Sequence, residues 1–284
     1  MRINKNRTAF ALLAPLLAGI IVFFIFPFAI LLRYSVTTGA GGGNFVGLYN
    51  YTRVFNSPAF RLAFGNTARF FVVGVTLNMV LSFLIAHTLR HRFLGSTVAR
   101  SVILFPMFLP VAAIVTVSTL FFSDAGLVNR ALMLLGLPAT DWLGSGAAFW
   151  FMLGLYIFKS IGYNVVLLLA GMQMIPHELY EAADMEGAGE LRKTLDITIP
   201  MLVPTLFFTF VISAMNCFRS FREAFILGGS HPDSSIYMLP HFINNNMQNL
   251  NYQRLAVGSV FTLCAITVIT ALVYTFEAKR EAKL

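Results

Sequence analysis

The sequence predicts an all-α membrane protein with six transmembrane helices, and both its composition and its uncharged stretches support that fold class. Of the 284 residues, 57% are hydrophobic and 11% are charged, whereas a soluble globular domain has about 25% charged residues. Most of the uncharged stretches approach the roughly 20 residues that a helix needs to cross a hydrocarbon core. A transmembrane barrel would instead show short segments of alternating hydrophobicity, which these stretches lack.

Six spans account for the uncharged stretches, provided that Lys159 lies inside the fourth one. The stretches on either side of Lys159 are each short, so we expect a single helix over residues 148–172. The predicted spans cover residues 9–33, 67–89, 100–122, 148–172, 200–222 and 255–276. The chain then consists of a first span with its outer connection (1–66), a core membrane domain (67–276) and a short tail (277–284).

The charge distribution predicts the orientation of these spans. The first span follows a basic start (Arg2, Lys5 and Arg7), runs for 25 uncharged residues and lacks a small-residue cleavage site, so we expect it to be retained. An even number of spans places both termini on one side. If that side is the cytoplasm, 11 of the 20 Lys and Arg residues fall on inner segments, as the positive-inside rule favours.

Several functional classes find no support in the sequence. Cys217 and Cys264 form no CxxC motif, and the five histidines are scattered without ligand spacing, so neither a metal site nor a catalytic set is predicted. There is no GxxxxGK[ST] loop, so the chain cannot hydrolyse ATP in the usual way. The net charge of +8 is explained by membrane orientation, and no nucleic-acid partner is expected.

The predicted cytoplasmic connection 173–199 holds six of the twelve acidic residues and breaks the basic trend of the inner segments. Pro176 can start a helix there, and Gly187 can end it by adopting a left-handed conformation. A second short helix, over about residues 189–196, would then run to Pro200. The segment is therefore either a compact docking hairpin or a solvated loop without a special role.

The spacing within this connection resembles a known signature. Glu181-Ala182-Ala183, followed by Gly187 and by the run 197–200 (ITIP), resembles the EAA signature of the inner-membrane permeases of binding-protein-dependent ABC importers. In that family the signature is the coupling helix, which fits a cleft in the ATP-binding subunit. The resemblance implies a type I importer transmembrane domain, with ATPase coupling carried by Glu181, Ala182, Ala183 and Gly187.

Other segments are similar to the sugar-transporting members of that family. The run 45–51 (FVGLYNY) resembles their FVGLxNY segment, residues 126–136 keep the spacing of their outer interfacial helix, and residues 225–229 resemble their glycine-rich outer segment. The alternatives are a permease of the same class for a polyamine or phosphonate, which usually lacks FVGLxNY, and a secondary transporter. A secondary transporter would not need an acidic segment with this spacing.

The resemblance also implies partners and a location. It implies a second homologous permease, two ATP-binding subunits that dock at residues 176–200, and an extracytoplasmic solute-binding protein. ATP and magnesium would be bound by the ATPase subunits, and this chain would bind no cofactor or metal of its own. The expected location is the bacterial cytoplasmic (inner) membrane, with multiple passes and both termini in the cytoplasm.

Polar residues within the spans are candidates for the substrate pathway, because an ionisable group costs about 2.5–3.5 kcal/mol at mid-membrane. A polyol needs directional donors and acceptors together with an aromatic face. The candidates that could supply them are Lys159, Tyr163, Asn164, Asn216 and Arg219. Structural roles remain open for three of them: Asn216 could satisfy a helix backbone, Arg219 and Arg222 could reach the outer interface, and Lys159 could pair with Glu223.

Overall fold

A computed structural model describes residues 5–39, 43–90 and 95–281. These residues are helical or irregular, apart from one antiparallel bridge between Thr37 and Phe45. They form two compact units. The first comprises the described parts of Met1–Arg61 and Phe242–Ile266, and the second those of Leu62–His241 and Thr267–Leu284.

The described ranges contain fourteen α-helices. In chain order they are α1 (Lys5–Ile20), α2 (Phe26–Val36), α3 (Tyr49–Phe55), α4 (Pro58–Arg90), α5 (Ser96–Phe108), α6 (Val111–Phe122), α7 (Leu127–Leu134), α8 (Ala148–Gln173), α9 (His177–Met185), α10 (Glu190–Lys193), α11 (Ile199–Arg219), α12 (Phe221–Gly228), α13 (Leu239–Gln248) and α14 (Tyr252–Glu281).

Six helical segments of the described chain are long and apolar enough to cross a membrane. They are Leu12–Val36, Pro58–Arg90, Val111–Leu134, Ala148–Gln173, Glu190–Gly228 and Tyr252–Leu272. Many large apolar side chains on these segments are exposed, as lipid-facing residues are, including Phe23, Val72 and Leu120. The predicted all-α fold with six spans is confirmed, and Lys159 lies within the fourth span as expected.

In the first unit, the Asn-Tyr pair of the FVGLYNY run anchors α3 to the end of α2. The buried Asn50 amide donates to the carbonyl oxygens of Ser35 (3.1 Å) and Thr37 (2.9 Å), which are helix-end carbonyls without partners further along the helix. The Tyr51 hydroxyl lies 2.9 Å from the Ser35 Oγ. The run therefore closes the carboxyl end of the first span.

In the second unit, α8 is the most buried of the six spans. A Cβ atom added at Gly162 would lie 2.0 Å from the Ile103 carbonyl oxygen of α5, so only glycine permits this backbone approach. On the other side, a Cβ at Gly171 would lie 2.6 Å from the Thr205 Oγ1 of α11. Two glycines thus allow α8 to pack closely against both neighbours.

The prediction of one continuous helix over residues 100–122 was wrong. The helix breaks between α5 and α6, where Leu109 adopts an extended conformation (φ −77°, ψ 140°) immediately before Pro110. The residue before a proline is disfavoured in the α region, and Pro106 has already removed one backbone donor. The prolines therefore divide this apolar stretch into two helices.

The predicted second helix of the acidic connection also differs in its end. A helix over about 189–196 was expected, but α10 continues through a π-helical turn (Thr194–Thr198) directly into α11. Pro200 follows this turn and cannot donate the regular backbone hydrogen bond, so the wider turn accommodates the proline without ending the helix. A second π-helical turn, Ile21–Ile25, stands in the same relation to Pro27.

Candidate functional site

The acidic connection folds into a helical hairpin, defined here as the acidic hairpin (residues 177–198). Its first helix, α9, follows Pro176 and ends in a Schellman motif. The Gly187 amide donates to the Asp184 carbonyl (3.0 Å), the Ala188 amide donates to the Ala183 carbonyl (2.9 Å), and Gly187 has φ +74°. The predicted left-handed glycine is therefore confirmed, and it makes the sharp turn of the hairpin.

The two faces of α9 differ in their surroundings. Glu181 and Ala182 are exposed and Ala183 is half-buried, whereas Tyr180 is buried. Met185 is 90% exposed, although it is apolar and stands outside the six apolar spans. An exposed methionine and an exposed alanine among carboxylates form a surface suited to contact with another protein.

Tyr180 fixes the buried face of α9. Its hydroxyl lies 2.9 Å from the Thr198 Oγ1 at the end of the π-helical turn. Its ring stacks against the guanidinium of Arg90, the last residue of α4, at 4.3 Å from the ring centroid. The hairpin is thus attached to two membrane-crossing segments through one side chain.

One ion pair connects the two arms of the hairpin, and a second lies within the α10 arm. The Lys193 ammonium contacts the Asp184 carboxylate at 2.8 Å and also contacts Glu190. The Lys193 side chain is only 11% exposed, whereas both carboxylates are mostly exposed. Water screens exposed ion pairs of this kind, so they orient the arms more than they stabilise the fold.

A polar cavity of about 550 Å³ opens within the second unit. Its lining combines polar and charged side chains of α8, α11 and α12 with a few apolar ones, namely Met107, Tyr156, Lys159, Ser160, Tyr163, Ile212, Met215, Asn216, Arg219, Ser220, Arg222 and Glu223. Its volume lies in the range of small-molecule sites, about 300–1,000 Å³.

An ion pair lies on the wall of this cavity. The Lys159 Nζ is 2.5 Å from the Glu223 Oε1, and the exposed side-chain fractions are 29% and 6%. The second carboxylate oxygen of Glu223 is buried and has no hydrogen-bond partner among the described residues. An ion pair removed from water needs further hydrogen bonds to offset its desolvation. The unpartnered Glu223 oxygen is therefore free to accept a hydrogen bond.

Four of the five predicted substrate-pathway residues line the cavity: Lys159, Tyr163, Asn216 and Arg219. The fifth, Asn164, does not. It is fully buried, and its amide donates to the Ser213 Oγ (2.7 Å), which places it behind the wall between α8 and α11. The helical step from Tyr163 to Asn164 turns the side chain by about 100°, and this separates the two residues.

Some lining residues were not predicted as pathway candidates. Glu223 and Arg222 entered the sequence argument only through their structural roles, and Tyr156 did not enter it. The Tyr156 hydroxyl donates to the Ser213 carbonyl (2.9 Å), next to the Asn164 contact. The sequence could have indicated both residues. Glu223 is an acidic residue near the end of a span, and Tyr156 precedes Tyr163 by about two helical turns, so both tyrosines fall on the same face of the helix.

Among residues 5–39, 43–90 and 95–281, no group of three or more His, Cys, Asp or Glu side chains is arranged to hold a metal ion. The two candidate sites are the exposed acidic hairpin and the polar cavity.

These features define a transport permease, and family comparison identifies its kind. Residues 78–281 match the model of the binding-protein-dependent transport system inner membrane component. The chain belongs to this family. It is a multi-pass inner-membrane protein whose relatives are components of transport systems.

Individual relatives cover nearly the whole chain. The trehalose/maltose transport system permease protein MalF of Thermococcus litoralis is 29% identical over 95% of this chain and 92% of its own length. The arabinooligosaccharides transport system permease protein AraP of Bacillus subtilis is 27% identical over 94% of this chain and 86% of its own length.

A solved structure confirms the fold. A crystal structure of a bacterial ABC transporter, involved in the import of the acidic polysaccharide alginate, contains a chain that superposes with a TM-score of 0.85. The two chains are 20% identical, and the match covers 98% of this chain and 97% of the other. The predicted importer-type transmembrane fold is therefore confirmed.

Proposed function

We propose that this chain is the permease subunit of an ATP-driven importer and forms, with a second homologous permease, the path for a sugar or oligosaccharide. An extracytoplasmic binding protein delivers the substrate. The names of the relatives support this substrate class, since they include permeases for trehalose/maltose and for arabinooligosaccharides. A related structure was solved in complex with a saccharide-bound periplasmic protein.

The observation that carries the proposal is the acidic hairpin. Its tip is set by Gly187, its outer face presents Glu181 and Ala182, and its inner face is anchored by Tyr180. Such a surface suits a cleft in an ATP-binding subunit. Glu181 pairs there with a basic group of the partner, and the small Ala182 and Ala183 side chains permit close contact.

ATP and magnesium belong to the two ATP-binding subunits in this proposal, and this chain binds no cofactor. The hairpin then lies in the cytoplasm with both termini, an orientation that the excess of Lys and Arg on the inner segments supports. In the cavity, Lys159, Tyr163, Asn216 and Arg219 contact the substrate. Asn164 holds α8 to α11 and stays behind the cavity wall.

Crosslinking tests the docking role. Cys217 and Cys264 are first replaced by Ala, and a single cysteine is placed at Ala182 and labelled with a maleimide photocrosslinker. In the assembled complex, the A182C variant should capture an ATP-binding subunit. The matched control is L134C, at an 88% exposed position on the predicted outer helix, which should capture none. Failure of A182C to capture that subunit in an intact complex overturns the docking role.

Transport assays test the substrate class. The complex is reconstituted in liposomes with its binding protein, and ATP-dependent uptake is measured for saccharides, a polyamine and a phosphonate. Uptake of a saccharide supports the proposal. Uptake of only the polyamine or the phosphonate would assign the chain to a non-sugar importer of the same class.

A further inference from the structure

The cavity has an unbalanced charge. Its lining contains three cationic side chains (Lys159, Arg219 and Arg222) and one acidic side chain, Glu223. Lys159 is neutralised by Glu223 at 2.5 Å. In the described part of the chain, neither arginine has an acidic side chain within ion-pair distance, so the lining carries two uncompensated positive charges.

The two arginines also border a second cavity. Arg219 ends α11 and Arg222 follows one turn later in α12, and both are exposed. The second cavity, of about 340 Å³, is lined by both arginines and by the aromatic rings of Phe218, Phe221 and Phe225. The guanidinium groups therefore stand between a polar cavity and an aromatic one.

Two unpaired arginines beside hydroxyl, amide and aromatic groups match one class of ligand, the acidic saccharides. A guanidinium group binds a carboxylate, phosphate or sulfate through two parallel hydrogen bonds, which a neutral hydroxyl cannot reproduce. The hydroxyl and amide groups of Ser160, Tyr163 and Asn216 suit the hydroxyls of a saccharide. The aromatic rings offer faces to the less polar side of a sugar ring.

We propose that this cavity selects anionic saccharides, and that Arg219 and Arg222 recognise their acidic groups. The inference rests on the proposed sugar-import function and specifies its substrate class. Lys159 does not take this role because Glu223 already satisfies its charge. A phosphatidylglycerol headgroup shares the acidic chemistry but lacks the ring hydroxyls that the remaining lining residues would bind.

Equilibrium binding to the complete transporter complex in nanodiscs tests the proposal. The probes are trigalacturonate and its neutral counterpart, an α-1,4-linked galactose trisaccharide. The complex should bind trigalacturonate more tightly, and R219Q/R222Q should weaken that binding by about tenfold or more, because charge-assisted hydrogen bonds are lost. Binding of the neutral probe should change less than about twofold, since its hydroxyl contacts remain.

Matched variants separate charge from folding. R219K/R222K keeps both charges and should retain part of the preference for trigalacturonate over the neutral trisaccharide. R130Q removes an exposed arginine of α7 outside the cavity and should leave the affinity for both probes unchanged. If R219Q/R222Q fails to assemble, the lysine variant and the salt dependence of trigalacturonate binding to the wild type decide the question. Binding that is insensitive to salt, in a complex that prefers neither probe, overturns the proposal.

Two further results are informative. If the arginines serve anionic lipid, R219Q/R222Q will change the phosphatidylglycerol dependence of ATP hydrolysis and leave trisaccharide preference intact, which overturns the proposal. If the complex imports a neutral saccharide with ATP and shows no anion preference, the charge inference fails while the import function stands. If no saccharide is imported at all, the import function itself fails.

Discussion

The hydroxyl groups of Tyr180 and Thr198 lie 2.9 Å apart, and this contact joins the start of the acidic hairpin to the π-helical turn at its end. Both side chains are buried, so the hydrogen bond is shielded from water. It holds the hairpin to the base of α11.

Replacing Tyr180 by Phe should loosen the hairpin. Loss of the Tyr180 hydroxyl removes its hydrogen bond to the Thr198 Oγ1, which lowers the free energy of unfolding by about 1 kcal/mol. We expect faster hydrogen exchange across residues 177–198 and weaker coupling of ATP hydrolysis to uptake. The control Y274F removes a hydroxyl from an exposed residue of α14 and should behave as wild type. Equal exchange rates in Y180F and wild type would contradict the anchoring role.

Replacing Gly187 by Val should abolish coupling while the protein still inserts into the membrane. Gly187 has φ +74°, a conformation that costs a side-chain-bearing residue about 1–2 kcal/mol and a β-branched residue more. Binding-protein-stimulated ATP hydrolysis and uptake are the measurements. Gly189, with φ −72° and open space at its Cβ position, provides the control G189A. Normal uptake by G187V would argue against a role for the turn.

Replacing Lys159 by Met should destabilise the membrane domain and reduce uptake. Glu223 would remain buried without its cation, and the loss of one partner of a buried pair costs about 3 kcal/mol. The double variant K159M/E223Q removes the stranded charge and should recover much of the melting temperature. Equal melting temperatures for the single and double variants would show that the stranded Glu223 carboxylate does not destabilise the K159M protein.

Replacing Gly162 by Ala should destabilise the packing of α8 on α5. The new Cβ would lie 2.0 Å from the Ile103 carbonyl oxygen, and overpacking of this kind costs about 1–3 kcal/mol. The control G154A lies on the same helix, at a position with nothing within 4 Å of the added atom. Thermal unfolding in detergent should separate the two variants, with G162A melting at the lower temperature.

His241 should make the protein sensitive to mild acid. Burial between the rings of Phe221 and Tyr237 lowers the pKa of His241 from 6.5 to about 4. Its Nδ1 accepts a hydrogen bond from the Met238 amide, as a neutral imidazole can. Between these two pKa values the unfolded state binds a proton that the folded state does not, so stability should rise with pH across that window.

The measurement is the melting temperature between about pH 4 and pH 7, since histidine titrates in this range. The folded protein loses up to about 3 kcal/mol on acidification through the window if His241 stays neutral. H241Q should show a shallower slope, and H231Q, which changes an exposed histidine of the same connection, should keep the wild-type slope. Identical slopes for H241Q and wild type would exclude His241 as the source.

The sequence predicted what depends on local composition. Hydropathy predicted the number of spans and the approximate positions of all but the third, and the position of Gly187 after an acidic helix predicted the left-handed turn. It did not predict the break before Pro110 or the π-helical turn before Pro200. A proline in an apolar stretch can break a helix or be absorbed by a wider turn, and the surrounding packing decides between these outcomes.

The cavity was only partly predictable for a related reason. The sequence left pairing with Glu223 as one of two open roles for Lys159, and the structure shows that contact at 2.5 Å. Because the two residues are 64 positions apart, the packing of α8 and α12 decides whether they meet. The same packing turns Asn164 toward Ser213 and away from the cavity. Polar composition within spans identifies candidates, whereas the rotation of each helix about its own axis selects among them.

The helix runs without interruption from α10 through the π-helical turn to the end of α11, so one helical segment joins the second arm of the acidic hairpin to Arg219. Its 30 residues, from Glu190 to Arg219, extend for about 45 Å. A tilt of only about 5° at the hairpin end would sweep the other end through roughly 4 Å. In the proposed importer, such a tilt of the helix would widen or narrow the mouth of the cavity that Arg219 lines.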